Sequence, residues 1–217
     1  MSQIYLGRIV AAAITPSGHP AALYRVSSRS FPNRMANCSA DGKTVSIIPK
    51  PGHEKDISKN PYIAYNAAKL VGGFAILTNG SHTDPIAEKI AMGLPPRDAL
   101  ALSLLAMDYE KDDYSTPRIA AITEIGSHIV WLGTVRHNGL DVQSYQLKPG
   151  EVIHLSTYEH NIPTSARISS FNAETPEQAC DFILGQGVFA DFTNPVTAVA
   201  AVATGGAFKL AFKDAAQ

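Results

Sequence analysis

The chain has 217 residues, of which 45% are hydrophobic and only 17% charged, where soluble domains average about 25% charged. That composition excludes a disordered or fibrous chain and suffices for a large, well-filled core. The net charge of −1 argues against nucleic acid or a membrane surface as the partner.

Ile4–Thr15 and Ala21–Ser28 are rich in β-branched and small apolar residues, and read as a hairpin across Pro16-Ser17-Gly18-His19-Pro20. Asp41-Gly42 marks a turn before a strand over Thr44–Pro49. Strands over Tyr62–Asn66 and Phe74–Asn79 flank Gly72-Gly73. Asp84 as cap, with Pro85 at the first helical position, opens a helix that Gly93 ends, with Ile86, Ile90 and Met92 on its inner side. Pro95-Pro96 opens a second helix, Arg97 to Tyr109, whose Leu100, Leu104, Leu105 and Met107 predict an apolar side wider than one stripe.

After residue 115 the hydrophobic period returns to two. Arg118–Glu124, His128–Val135, Val142–Gln146 and Val152–Thr157 read as strands joined by Gly126-Ser127, Asn138-Gly139 and Pro149-Gly150. Thr175-Pro176-Glu177 opens a third helix to Leu184, and Val196–Thr204 with Ala207–Lys213 closes the order across Gly205-Gly206. No linker or internal repeat divides the chain, so residues 1–217 read as a single α+β domain. Two antiparallel sheets packed face to face, with helices outside, would absorb this many strands.

The near-neutral total hides an asymmetry. Residues 1–40 hold four of the 18 basic residues, Arg8, Arg25, Arg29 and Arg34, and none of the 19 acidic ones. Three of these arginines lie within Tyr24-Arg25-Val26-Ser27-Ser28-Arg29-Ser30-Phe31-Pro32-Asn33-Arg34. Arginine forks, hydroxyls and amides are what a phosphate requires, so Arg25, Ser27, Ser28, Arg29, Asn33 and Arg34 are candidate phosphate ligands. Strand alternation puts Arg25, Ser27 and Arg29 on one face while the strand lasts. A solvated arginine face is the plain alternative.

Three further segments carry chemistry-bearing residues. In Asn60-Pro61-Tyr62-Ile63-Ala64-Tyr65-Asn66, Tyr62 and Tyr65 cannot share a face of one strand, so one belongs to the core while the other, with Asn66, lines a pocket. Asn79-Gly80-Ser81-His82 precedes a helix, whose free N–H groups favour anions, and offers Ser81 and a titratable His82. Asp108-Tyr109-Glu110-Lys111-Asp112-Asp113 puts four carboxylates at a helix C-terminus, against the dipole, beside Pro117-Arg118.

Cys38 and Cys180 lie in no metal or disulfide pattern, and the seven histidines are scattered. No metal site and no cofactor are expected. Phosphate-loop, dinucleotide, nucleophile-elbow and zinc-protease motifs are missing. Neither a signal peptide nor an apolar run long enough to span a membrane is read, which predicts a cytoplasmic protein.

The blocks Tyr5-Leu6-Gly7-Arg8-Ile9-Val10, Tyr24 to Arg34, Asn60 to Asn66, Asn79 to His82 and Tyr114-Ser115-Thr116-Pro117-Arg118-Ile119-Ala120 resemble, in order, those of the archaeal-type IMP cyclohydrolase family. The Tyr24 to Arg34 block is the specific one. The resemblance implies a four-layer αββα fold similar to that of the N-terminal nucleophile hydrolases, used without an N-terminal nucleophile. It implies closure of a formylated aminoimidazole carboxamide ribonucleotide to IMP with loss of water, and no cofactor. On that reading Glu110 is base or proton relay, Arg29 with Tyr62 or Tyr65 are donors, and Arg25 with Arg34 hold the phosphate. Ser27, Ser28, Asn33, Asn66, Ser81, His82 and Arg118 would complete the nucleotide monophosphate site, and a homo-oligomer is left open. Two rival readings are an amidohydrolase using Ser2 as N-terminal nucleophile and a non-catalytic purine-nucleotide-binding protein.

Overall fold

A computed structural model describes residues 4–216. In chain order its elements are β1 (Ile9–Ile14), β2 (Pro20–Ser27), β3 (Arg34–Cys38), β4 (Thr44–Pro49), α1 (Asp56–Lys59), β5 (Tyr65–Val71) and β6 (Phe74–Thr78). Then come α2 (Thr83–Ala91), α3 (Pro96–Met107), β7 (Arg118–Glu124), β8 (Ile129–Arg136), β9 (Gly139–Gln146), β10 (Glu151–Ser156) and β11 (Ser169–Ser170). The chain closes with α4 (Pro176–Gly185), β12 (Pro195–Thr204) and β13 (Ala207–Asp214).

The strands form two antiparallel sheets. One has six strands in the order β11-β10-β1-β2-β12-β13, the other seven in the order β3-β4-β5-β6-β7-β8-β9. Alternation along each strand decides which residues meet between them. Val10, Ala12, Tyr24 and Val26 of the first sheet face Ile47, Leu77, Ile119 and Leu132 of the second in one continuous core. The opposite face of the first sheet, with Ile9, Leu23 and Ala200, is covered by Phe182 and Ile183 of α4. Ile76 and Ile122 on the opposite face of the second sheet meet Ile86 of α2 and Leu100 and Leu104 of α3. Strands covered on both faces cannot alternate in polarity, which is why β1 reads Ile-Val-Ala-Ala-Ala-Ile and is wholly buried. The edge strand β9 has no fully buried residue.

Local chemistry shifts several expected boundaries. The first strand begins at Ile9 rather than Ile4, because Gly7 at φ +70° turns the chain beforehand. Residues Pro61–Ile63 form a 3-10 turn, not a strand, since the Asn60 side chain accepts from the Tyr62 backbone N–H. Asp84 does not cap α2; it accepts from Asn66 Nδ2 and pairs with Lys69. Thr175 caps α4 in a complete capping box with Gln178. The wide apolar side expected of α3 is narrower: Leu100 and Leu104 are buried, whereas Leu105 is 70% exposed. Met92 is likewise outside the core at 79% exposure. The short β3, β11 and α1 carry too few periodic residues to announce themselves in sequence.

Candidate active site

Where β1 begins and β2 ends, the loops 28–33, 108–116 and 157–159 surround a cavity of about 580 Å³. Its deepest polar feature is an ion pair. Arg8 Nη1 and Nη2 donate to Glu110 Oε1 and Oε2 at 2.9 and 2.6 Å, and Nη1 also donates to the Asn79 carbonyl at 2.9 Å. Glu110 is 1% exposed yet lines the cavity. Burial opposes the charge on Arg8, but Glu110, with Tyr65 and Tyr24 nearby, more than offsets it and holds the guanidinium above its ordinary pKa. The two-bonded geometry thus fixes the direction of both side chains.

Backbone geometry makes this pair possible. A β-carbon at Gly7 would collide with Thr157 and Tyr158, so only glycine lets the chain pass close enough for the Arg8 N–H to reach Thr157 Oγ1 at 3.1 Å. On the opposite wall, Asp112 accepts from the backbone N–H and hydroxyl of Thr116 at 2.9 and 2.7 Å, and the Glu110 N–H donates to the Thr116 carbonyl at 2.9 Å. Asp108 and Ser115 hold positive φ of 54° and 48° in this loop, a conformation that costs non-glycine residues about 1–3 kcal/mol each. The loop is over-determined around Glu110 rather than slack.

The arginine segment enters from the other side. Ser27 and Ser28 end β2 at the cavity wall, and Arg34 begins β3 there. Arg34 Nε donates to the Phe31 carbonyl at 3.1 Å. Among the described residues its terminal nitrogens have no hydrogen-bond partner, which leaves the fork for a ligand. Arg29 is exposed at the rim and lies 4.0 Å from the centre of the Tyr5 ring. Tyr62 lines the cavity, and its hydroxyl accepts from the Lys111 N–H at 3.1 Å.

Other expected residues are placed elsewhere. Arg25 does share a face with Ser27, and its Nε donates to Ser27 Oγ at 2.9 Å. That face, however, is the one under α4. The guanidinium is fully buried and donates to the carbonyls of Ile183, Leu184, Phe192 and Thr193. Burial without a carboxylate lowers it to about 10. It is a clamp on the end of α4, not a cavity residue. Tyr65 is the core member of the tyrosine pair; its hydroxyl meets that of Tyr24 at 2.5 Å between the sheets. Asn66 points to Ser46 and Asp84. Ser81 is exposed, and Asn33 offers only its carbonyl, to the Lys50 N–H; neither lines the cavity.

His82 and Arg118 lie buried behind the wall. His82 Nε2 is 3.0 Å from the Ile119 carbonyl, and burial followed by the charge of Arg118 lowers its pKa to about 3. Arg118 Nε donates to the Asp108 carbonyl at 2.7 Å, with its guanidinium carbon 5.7 Å from the Tyr62 ring centre. Burial lowers Arg118 as well, opposed by Glu110.

The cavity also holds residues to which the sequence attached no role: Tyr5, Arg8, Thr157 and Tyr158. Tyr5 and Arg8 fall within the first block of the resemblance, and Arg8 within the acid-free segment. Nothing local marks Thr157 and Tyr158, which arrive from the end of β10.

Fold and site define a two-sheet α+β sandwich whose cavity suits one small anionic molecule beside a buried carboxylate. The sequence pattern of the IMP cyclohydrolase-like protein family matches residues 5–207. The chain is 48% identical to the IMP cyclohydrolase of Methanosphaera stadtmanae, over 91% of this chain and 94% of that one. It is 47% identical to that of Methanococcus maripaludis, over 96% and 99% of the two chains. It is 43% identical to that of Methanocaldococcus jannaschii, over 97% and 99%. The chain belongs to the IMP cyclohydrolase family.

Proposed function

We propose that the protein is an IMP cyclohydrolase, closing 5-formamidoimidazole-4-carboxamide ribonucleotide to IMP with release of water. The observation that carries this reading is the near-full-length likeness to relatives bearing that name. The cavity supports it by joining a cationic wall to a buried carboxylate.

The carboxamide nitrogen attacks the formyl carbon and gives up one proton. The formyl oxygen becomes a hydroxyl, and its departure with the remaining formamido N–H proton leaves the new C=N bond. Both protons and that oxygen leave as one water. Glu110, which accepts while ionised, takes the carboxamide proton and delivers it to the former formyl oxygen, making the hydroxyl that then leaves with the formamido proton. Arg29 and Tyr62 donate to the developing oxyanion. Arg34, with the hydroxyls of Ser27 and Ser28, holds the phosphate dianion. Because the reacting groups belong to one molecule, fixing their rotation supplies much of the acceleration.

The likeness of the sandwich to the N-terminal nucleophile hydrolases belongs to this proposal, as do a cytoplasmic location and the single domain over 1–217. Ser2, the nucleophile of the rival amidohydrolase reading, lies outside the described residues. Among the described residues no helix is long and apolar enough to cross a membrane.

The test is a spectrophotometric assay of IMP formation from the formylated ribonucleotide, with no metal added. Turnover that saturates with substrate is expected. Tight binding of IMP with no turnover would overturn the reading in favour of a non-catalytic nucleotide-binding protein.

A further inference from the structure

Four arginines belong to the acid-free segment, and three of them commit N–H groups to the protein. Arg8 donates to Glu110 and to the Asn79 carbonyl, Arg25 to Ser27 and four backbone carbonyls, and Arg34 through Nε to the Phe31 carbonyl. Arg29 also lines the cavity but, among the described residues, makes no hydrogen bond and no ion pair. Its guanidinium carbon instead stands over the Tyr5 ring, 4.0 Å from the centre.

That ring is well anchored. Counted outward from the Ile9–Arg25 pair of the β1–β2 hairpin, residues 5 and 29 fall opposite each other. On one side of Tyr5, Ile4 donates to the Asp191 carbonyl and accepts from the Thr193 N–H; on the other, the Leu6 carbonyl accepts from the Tyr158 N–H at 3.1 Å. The Tyr158 ring lies 5.8 Å from the Tyr5 ring, centre to centre, at a tilt of 34°. The backbone before Arg29 is equally fixed: the Ser28 N–H donates to the Asn194 carbonyl at 3.1 Å, and its hydroxyl accepts from the Phe31 N–H at 2.9 Å. Between these anchors the long, exposed Arg29 side chain has the Tyr5 ring as its restraint.

A carboxylate would fix a guanidinium at least as firmly, but it would occupy the N–H donors. A ring face attracts the cation without accepting a directed hydrogen bond. All five N–H groups of Arg29 stay available, while the rotamer freedom of an exposed arginine is reduced. Oriented but uncommitted donors are what a developing charge requires.

We propose that Tyr5 is a positioning residue, whose ring face holds the Arg29 guanidinium at the cavity without taking up its donors. This inference rests on the ring-closure reading, in which Arg29 donates to the oxyanion.

The test is a double-mutant cycle read in steady-state kinetics of IMP formation. Tyr5→Leu is expected to lose kcat roughly fivefold, the worth of one cation–π contact at an exposed site, with KM within about twofold. Tyr5→Phe keeps the ring and restores kcat to within about twofold of wild type. Arg29→Met should lose kcat by about 100-fold, as removal of an oxyanion donor does. Adding Tyr5→Leu to Arg29→Met should then cost less than twofold more, because nothing is left to position. Unchanged kcat in either single variant overturns the proposal. A full fivefold further loss in the double variant overturns it too, since Tyr5 would then act as cavity wall in its own right. Equal losses in Tyr5→Phe and Tyr5→Leu assign the effect to the hydroxyl and likewise overturn it. Should Tyr5→Leu not fold, pentafluorophenylalanine at position 5 decides: it keeps the shape of phenylalanine but removes the negative ring face. Lower kcat than in Tyr5→Phe supports the proposal, and equal kcat overturns it. Wild-type protein that forms no IMP overturns the ring-closure reading together with this inference, whereas IMP formation that Tyr5→Leu does not slow overturns the inference alone.

Discussion

Arg8 and Glu110 stand 102 residues apart in the chain and meet in a two-bonded ion pair at the foot of the cavity. A pair so buried stabilises little against apolar residues of similar size, but removing one partner strands the other, at a cost of about 3–5 kcal/mol. Glu110→Gln is expected to lower kcat by at least about 100-fold, the usual worth of a general base. It should lower the melting temperature by roughly 6–20 °C, at about 2–4 °C per kcal/mol for this size. The double variant Arg8→Met, Glu110→Met should recover stability but not turnover. Near-full turnover in Glu110→Gln would remove its role as base.

Arg25 is predicted to matter for folding and not for phosphate. Arg25→Met withdraws four carbonyl contacts and should destabilise by roughly 3 kcal/mol, from buried acceptors left unpaired. Measured on the folded fraction, KM should stay within about twofold. A tenfold rise in KM at unchanged stability would return Arg25 to the phosphate site.

Arg34 is predicted to behave in the opposite way. Arg34→Gln removes the two unpartnered terminal nitrogens of the guanidinium from the cavity and keeps most of the side-chain volume. Calorimetric titration with IMP should show affinity weakened by roughly 10–100-fold, since hydrogen bonds to a charged group are worth about 1.5–3 kcal/mol. Melting temperature should change little. Affinity within twofold of wild type would strike Arg34 from the site.

Acid should unfold the protein early. His82 and His154 are both held down to about 3, by burial first and then by the charges of Arg118 and of His160 respectively. Below an ordinary histidine pKa of about 6.5 the unfolded chain takes up protons that the folded protein refuses. Stability contributed by these two groups is therefore complete above that pH and is lost as pH falls towards 3. At pH 5 the loss is at most about 2 kcal/mol per histidine, from 1.36 kcal/mol per unit. Thermal melts should drop by roughly 10 °C between pH 7 and pH 5, and His154→Leu should remove about half of that slope. A flat profile would show both rings titrating as if exposed.

Much of the architecture is legible locally. Residues Thr44–Pro49 and Arg118–Glu124 form strands with the bounds their period-two pattern predicts, and Thr175-Pro176 opens α4 because cap and first-turn chemistry act within four residues. The failures are also local in origin. Asn60 captures the Tyr62 N–H and delays β5, a competition that apolar periodicity does not register. Leu105 looks like core because it sits beside Leu104, yet among the described residues nothing covers that side of α3.

The candidate site divides in the same way. The arginine block, the carboxylate run and the pairing of one core tyrosine with one cavity tyrosine are properties of neighbouring residues, and sequence alone determined them, together with the family. Alternation correctly set Arg25 beside Ser27, but parity says only that two residues share a face, not which face. The packing of α4 decided that, and turned Arg25 away from the cavity. Nor does parity name partners across 102 residues. Arg8 meets Glu110 because strand pairing brings the ends of distant strands to one edge. Contacts of that kind depend on register and layer, and exist only once both sheets have closed.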